Sequence, residues 1–219
     1  MARYLVPDIP PDSLFRLEET IKRSRFMVSM ARTPHPDAAR GFVERIKAEF
    51  PDATHNCWAF AAGAPGDTAR VGYSDDGEPH GTAGRPMLTM LLHGEVGEVC
   101  AVVTRYFGGI KLGTGGLVRA YQGMVRLGLD ELPTRLFMPP ARLEVVLEYS
   151  RITQFQRLLP EFEATVESED FAADTAFVLV LPEANLGAFA SRLTDMTEGT
   201  VLLHQLPEKD PPAPPDGRE

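Results

Sequence analysis

Residues 99–130 read VCAVVTRYFGGIKLGTGGLVRAYQGMVRLGLD. The first eight are apolar enough for a buried strand. From Leu117 onward, Leu117, Ala120, Tyr121, Met124 and Gly128 recur at helical spacing on one face. Between them, residues 104–116 (TRYFGGIKLGTGG) contain five glycines among thirteen residues. Strand, glycine segment and helix together set an α+β reading. Gly113, Gly115 and Gly116 would let backbone amides converge at a helix N-terminus. Such an end carries unpaired N–H donors and partial positive charge, which suits an anion, and Lys111 and Arg119 would add to it. The plainer account is a tight strand-to-helix turn in which glycine supplies positive φ. The pattern G-x-x-x-x-G-K-[ST] is absent, because Lys111 precedes Gly113, and so is G-x-G-x-x-G. Nucleotide hydrolysis therefore has little support. Arg119, Gln122 and Arg126 form a polar stripe opposite the apolar one, for which a solvated face is the simpler explanation.

Working outward, FRLEETIKRSRFMVSMA predicts two strands around a turn near Lys22 to Ser24. HPDAARGFVERIKAEF places Ala39, Phe42, Val43, Ile46 and Phe50 at helical spacing, opened by Pro36 or Asp37 and closed by Pro51. THNCWAFAAG alternates as a strand, residues 63–86 read as loop, and PMLTMLLHG reads as a short helix from Pro86. Within that loop, SDDGEPHGTAGRP (74–86) offers Asp75, Asp76 and Glu78 to a hard cation. The alternative is a shaped turn, with Thr82 or Gly84 near the entry to the next helix. Arg85 at a helix start is unfavourable unless an anion is near. His55 and Cys57 share a face, and packing explains them better than catalysis. Tyr106 and Phe107 point opposite ways, so at most one can stack a base; Tyr106 is assigned that role.

The texture changes near Pro139 and Pro140. Beyond them the pattern is βαββαβ in about 70 residues, the ferredoxin-like order. The expected domains are 1–138, 139–207 and a disordered tail over 208–219. Charge is divided accordingly. Net charge is −9, all of it in residues 140–219, which hold 6 basic and 15 acidic residues. Residues 101–129 carry Arg105, Lys111, Arg119 and Arg126 and no acid. A polyanion would meet the first domain, and the acidic second domain suits a protein partner. The apolar runs fall short of the roughly 18 residues needed for a membrane helix. The N-terminus lacks a signal-peptide core, and Cys57 and Cys100 form no disulfide framework, so a cytoplasmic setting is expected.

DDGEPHGTAGRPML and VVTRYFGGIKLGTGGLVRAY, with IKRSRF and THNCWAF, resemble the IMPACT family, in its bacterial YigZ branch. The likeness spans about residues 17–125. It implies a first domain like the second domain of small-subunit ribosomal protein five. It also implies a second domain like the last domain of elongation factor G, and a translation setting. Eukaryotic relatives carry an additional RWD domain and restrain a starvation-responsive kinase. No such domain is expected here, and that role is not carried over. His80 stands where the family pattern has a small residue and is given no role. The resulting expectation is a non-enzymatic, cofactor-free translation regulator that binds RNA or the ribosome. Arg85, Arg105, Tyr106, Lys111, Gly113, Gly115, Gly116 and Arg119 would bind. Asp75, Asp76, Glu78 and Thr82 would shape the loop or hold a metal. The rival is an enzyme or sensor for a small phosphorylated or carboxylated ligand at the same loops.

Overall fold

Alternation along the strand at 99–106 explains the architecture of the first unit. Val99, Ala101 and Val103 enter one apolar cluster, while Cys100 and Val102 enter another. A strand buried on both faces must lie inside a sheet that is covered on both sides. The computed structural model, which describes residues 3–10, 12–171 and 175–207, shows this arrangement. The chain divides into two compact units, one over Tyr4–Phe137 and one containing the residues from Met138 onward.

The first unit has strands β1 (Tyr4–Pro7), β2 (Phe15–Ile21), β3 (Ser24–Arg32), β4 (His55–Ala61), β5 (Val71–Ser74), β6 (Val99–Tyr106) and β7 (Thr134–Phe137). Its helices are α1 (Pro36–Glu49), α2 (Gly84–His93) and α3 (Thr114–Glu131). Five strands make an antiparallel sheet in the order β2-β3-β6-β4-β5. One face packs against α1 through Ala39, Phe42, Val43 and Ile46. The other packs against α2 and α3, with Met87, Leu91, Leu117, Tyr121 and Met124 buried. The β2–β3 hairpin turns where expected, and Lys22 and Arg23 both take positive φ, 46° and 64°. Such a two-residue turn matches the twist of its strands.

Four elements differ from the sequence reading. β5 lies inside the segment read as loop and pairs with β4, Trp58 opposite Ser74. β1 and β7 pair with each other across the length of the unit, Tyr4 opposite Phe137. α2 begins at Gly84, two residues before Pro86.

The second unit contains β8 (Pro140–Leu147), α4 (Ile152–Leu158), β9 (Thr165–Phe171), β10 (Thr175–Pro182), α5 (Glu183–Met196) and β11 (Leu202–Leu206). Its sheet order is β11-β8-β10-β9, antiparallel throughout. This is the expected ferredoxin-like βαββαβ, so the fold class is α+β in two units. Leu143, Val145, Leu147, Phe177, Leu179 and Leu181 meet Phe155, Phe189 and Leu193 in its core. The segment 208–219, read as a disordered tail, lies outside the described residues. Among the described residues no helix is long and apolar enough to cross a membrane.

Candidate nucleic-acid interface

The strand registers bring every motif to one end of the five-stranded sheet. Ile21 pairs with Ser24, Arg25 with Tyr106, His55 with Arg105, and Trp58 with Ser74. The hairpin turn Lys22–Arg23, the glycine segment after Tyr106 and the 75–83 loop therefore all leave the sheet at that end.

The 75–83 loop is organised by its own carboxylates. Asp75 Oδ2 accepts from Gly81 N–H at 2.8 Å, and Oδ1 accepts from Ala83 and Gly84 N–H at 3.0 and 2.9 Å. Ala83, at the N-cap of α2, has no capping side chain of its own. Asp75 caps that helix from nine residues upstream, which accounts for its early start. Partial burial works against the Asp75 charge. The N–H groups of Gly81, Gly84 and Ala83 outweigh that penalty and hold the carboxyl below the usual aspartate range. Asp76 Oδ2 accepts from Asn56 N–H at 2.7 Å, and its Oδ1 pairs with Lys47 at 2.9 Å. Thr82 donates to Pro79 O at 2.6 Å. Each of these side chains shapes the loop. No group of three or more His, Cys, Asp or Glu is placed to hold a metal ion among the described residues.

Glu78 reaches into the protein. Its Oε1 accepts from Arg105 Nη1 at 2.5 Å and from Tyr121 Oη at 2.8 Å. His55 donates from Nδ1 to Asp76 O at 2.8 Å, which turns Nε2 toward Glu78 Oε2, 3.8 Å away. Cys57 lies beside Tyr121, Sγ to Oη 3.4 Å. Burial pushes the Cys57 thiol up, against a smaller opposing effect from the Tyr121 hydrogen bond. Burial likewise raises the Tyr121 phenol. This cluster ties the loop to β4, β6 and α3 at once.

Arg105 thus requires a correction. The sequence placed it on an exposed cationic surface, yet its side chain is only 6% exposed. An arginine inside a protein needs a counter-charge, and Glu78 provides it. Arg105 Nη2 also donates to Ser24 Oγ at 3.3 Å, and Ser24 Oγ accepts from Gly108 N–H at 3.2 Å. Gly108 is needed because a Cβ there would fall 1.8 Å from the Arg23 carbonyl oxygen. The glycine segment is thereby pressed onto the hairpin turn.

Tyr106, the residue assigned to stacking, makes contacts inside the unit. Its hydroxyl donates to Asp52 Oδ1 at 2.9 Å and Arg25 lies 4.8 Å over its ring, so it is engaged within the protein. Phe107 is the exposed aromatic of the pair.

The remaining cations stay in solvent. Lys22, Arg23, Arg85, Lys111, Arg119 and Arg126 are exposed and have no ion-pair partner among the described residues. Lys22 and Arg119 line one depression of about 210 Å³, with Ile21, Leu112, Gly116 and Ala120. Lys22 and Arg23 were not among the sequence candidates. The signal that could have exposed them is the two-residue hairpin turn, which thrusts both side chains outward beside the glycine segment. Arg85, on the first turn of α2, and Arg126, farther along α3, do not line that depression. Gly113 caps α3 with φ 73° and no side-chain hydrogen bond, and no acidic residue occupies the first turn. Among the described residues, the N–H groups of Thr114, Gly115 and Gly116 have no partner; the first intrahelical bond runs from Leu117 N–H to Gly113 O.

Residues 22–129 match the Impact N-terminal domain, and residues 145–200 match a domain of unknown function, DUF1949. Over 208 residues the chain is 42% identical to the IMPACT family member YigZ of Escherichia coli, covering 95% of this chain and all of that one. The chain belongs to the IMPACT family. An IMPACT family member of Haemophilus influenzae is 40% identical over 94% of this chain and 98% of its own length. YvyE of Bacillus subtilis, of the same family, is 35% identical over 83% of each chain. Among solved structures, a crystal structure of a hypothetical protein superposes with a TM-score of 0.69 at 41% identity, over 95% of this chain and all of that one. The two family matches fall one in each compact unit. Both long IMPACT-like motifs sit in the first, around the cationic end of its sheet.

Proposed function

We propose that this IMPACT family member is a non-enzymatic, cytoplasmic regulator of translation. It binds RNA, on or near the ribosome, through the cationic end of its first unit. The observation that carries this reading is the set Lys22, Arg23, Lys111 and Arg119. All four are exposed without a carboxylate partner among the described residues, and Lys22 and Arg119 line one depression with Gly116, among the unpaired amides that open α3. Lysine and arginine side chains with no internal counter-ion gain most from a polyanion, and free N–H groups can hydrogen-bond phosphate oxygens. Arg105 acts beneath this surface, where it fixes the glycine segment, and does not supply surface charge.

The test is the double substitution Lys111→Ala, Arg119→Ala, measured by RNA binding and by co-sedimentation with ribosomes across a salt series. Binding should weaken, and the dependence of log affinity on log salt should flatten by about 1 to 2. Unchanged affinity with an unchanged slope would remove the interface.

A further inference from the structure

We infer that Phe107 is a stacking shelf for an unpaired nucleobase, and that the interface takes single-stranded rather than duplex RNA; this rests on the RNA reading above. Phe107 is 46% exposed although it follows directly on a buried strand. Its backbone is fixed, because its N–H donates to Thr54 Oγ1 at 3.0 Å. Beneath the ring lies the Arg105 guanidinium, with Cζ 5.5 Å from the Phe107 centroid and 5.3 Å from that of Phe26. That guanidinium is held in turn by Glu78 and Ser24. An exposed ring backed by an immobile cation is organised before any ligand arrives, so little ordering is needed on binding.

The surroundings indicate which ligand suits it. Gly108 presses the segment against Arg23, and Lys111 follows four residues after the ring. An exposed aromatic face on a segment that also carries the unpaired Lys111 and presses on the hairpin turn of Lys22 and Arg23 matches a nucleic-acid strand, whose bases stack on the ring while its phosphates meet the charges. In an RNA duplex the base faces are already stacked on one another and cannot reach the ring. Tyr106 is less exposed than Phe107, and its hydroxyl is held by Asp52.

The experiment measures binding of the full chain to three labelled probes by fluorescence anisotropy. These are an unstructured single-stranded RNA of about twelve nucleotides, an abasic strand of the same length, and a duplex of the same sequence. The wild-type protein should prefer the base-bearing single strand. Phe107→Ala should lower affinity for that strand roughly tenfold and leave the abasic strand unaffected, while Phe107→Trp keeps the preference. Lys111→Ala with Arg119→Ala should weaken all three probes alike. A Phe107→Ala protein with an unchanged ratio between base-bearing and abasic strands overturns the shelf, as would equal binding of all three probes by the wild type. That second result leaves the cationic interface standing. A wild type that binds none of the probes removes the interface and the shelf together. If Phe107→Ala breaks a protein contact while the strand preference persists, the ring serves a protein partner and the inference fails.

Discussion

Replacing Asp75 with asparagine should destabilise the first unit by about 3 kcal/mol at neutral pH. The carboxylate accepts three backbone N–H groups at 2.8 to 3.0 Å and sits at the positive end of α2. Its side chain is 14% exposed, so water screens these bonds weakly. A net hydrogen bond to a charged group contributes about 1.5–3 kcal/mol, and a lost N-cap costs roughly 1 kcal/mol. Asparagine keeps one acceptor oxygen but turns an NH₂ toward donors. The loss is therefore more than one such bond and less than three. For a unit of this size that is a fall in Tm of about 10 °C. The pH dependence gives a sharper test. The folded-state carboxyl is held below its unfolded value, so its stabilisation is complete above the unfolded pKa, about 3.9. It disappears as pH falls through the folded value. The gap in Tm between wild type and Asp75→Asn should be constant from about pH 7 to pH 5 and should close as the pH drops below about 4. Calorimetric melts of both proteins from pH 7 to pH 3 measure it. A variant that melts with the wild type at neutral pH, or a gap that does not narrow at all between pH 5 and pH 3, would refute the capping argument.

Glu78→Gln should cost about 3–5 kcal/mol, because it leaves the buried Arg105 charge without a counter-ion. Urea denaturation should show the double variant Glu78→Gln, Arg105→Met to be less damaged than the sum of the single ones, and strict additivity would mean the two are independent. Gly108→Ala should lose at least about 2 kcal/mol, since the added Cβ overlaps the Arg23 carbonyl oxygen; a melting curve like that of wild type would show the close approach to be wrong. Burial raises both the Cys57 and Cys100 thiols, so neither should react with a thiol reagent at pH 8 in the folded protein and both should react in denaturant. Rapid labelling of either in native conditions counts against its burial.

Much of this architecture can be read along the chain because its determinants are local. The double-faced apolar strand at 99–106, the helical spacing of Ala39, Phe42, Val43 and Ile46, and the turn at Lys22–Arg23 each involve neighbours within a few residues. The βαββαβ order of the second unit is legible for the same reason. β1 and β7 were missed because each is a four-residue strand whose partner lies about 130 residues away. β5 was missed because four residues amid glycine, proline and aspartate become a strand only when the edge of β4 is there to pair with.

The family, the fold class and the crowding of glycine and cations after β6 were already fixed by amino-acid order, since motif spacing and hydrophobic period are properties of the chain itself. The fate of each charge was not. Arg105 and Lys111 look equivalent in sequence, yet one is buried against Glu78 and the other stands in water. Only the registers of β3, β4, β5 and β6 bring Glu78 and Ser24 around Arg105, and leave Lys22, Arg23 and Phe107 facing outward. Whether a charged group is neutralised inside or offered to a partner depends on neighbours distant in sequence, because desolvation and Coulomb energy follow separation in space.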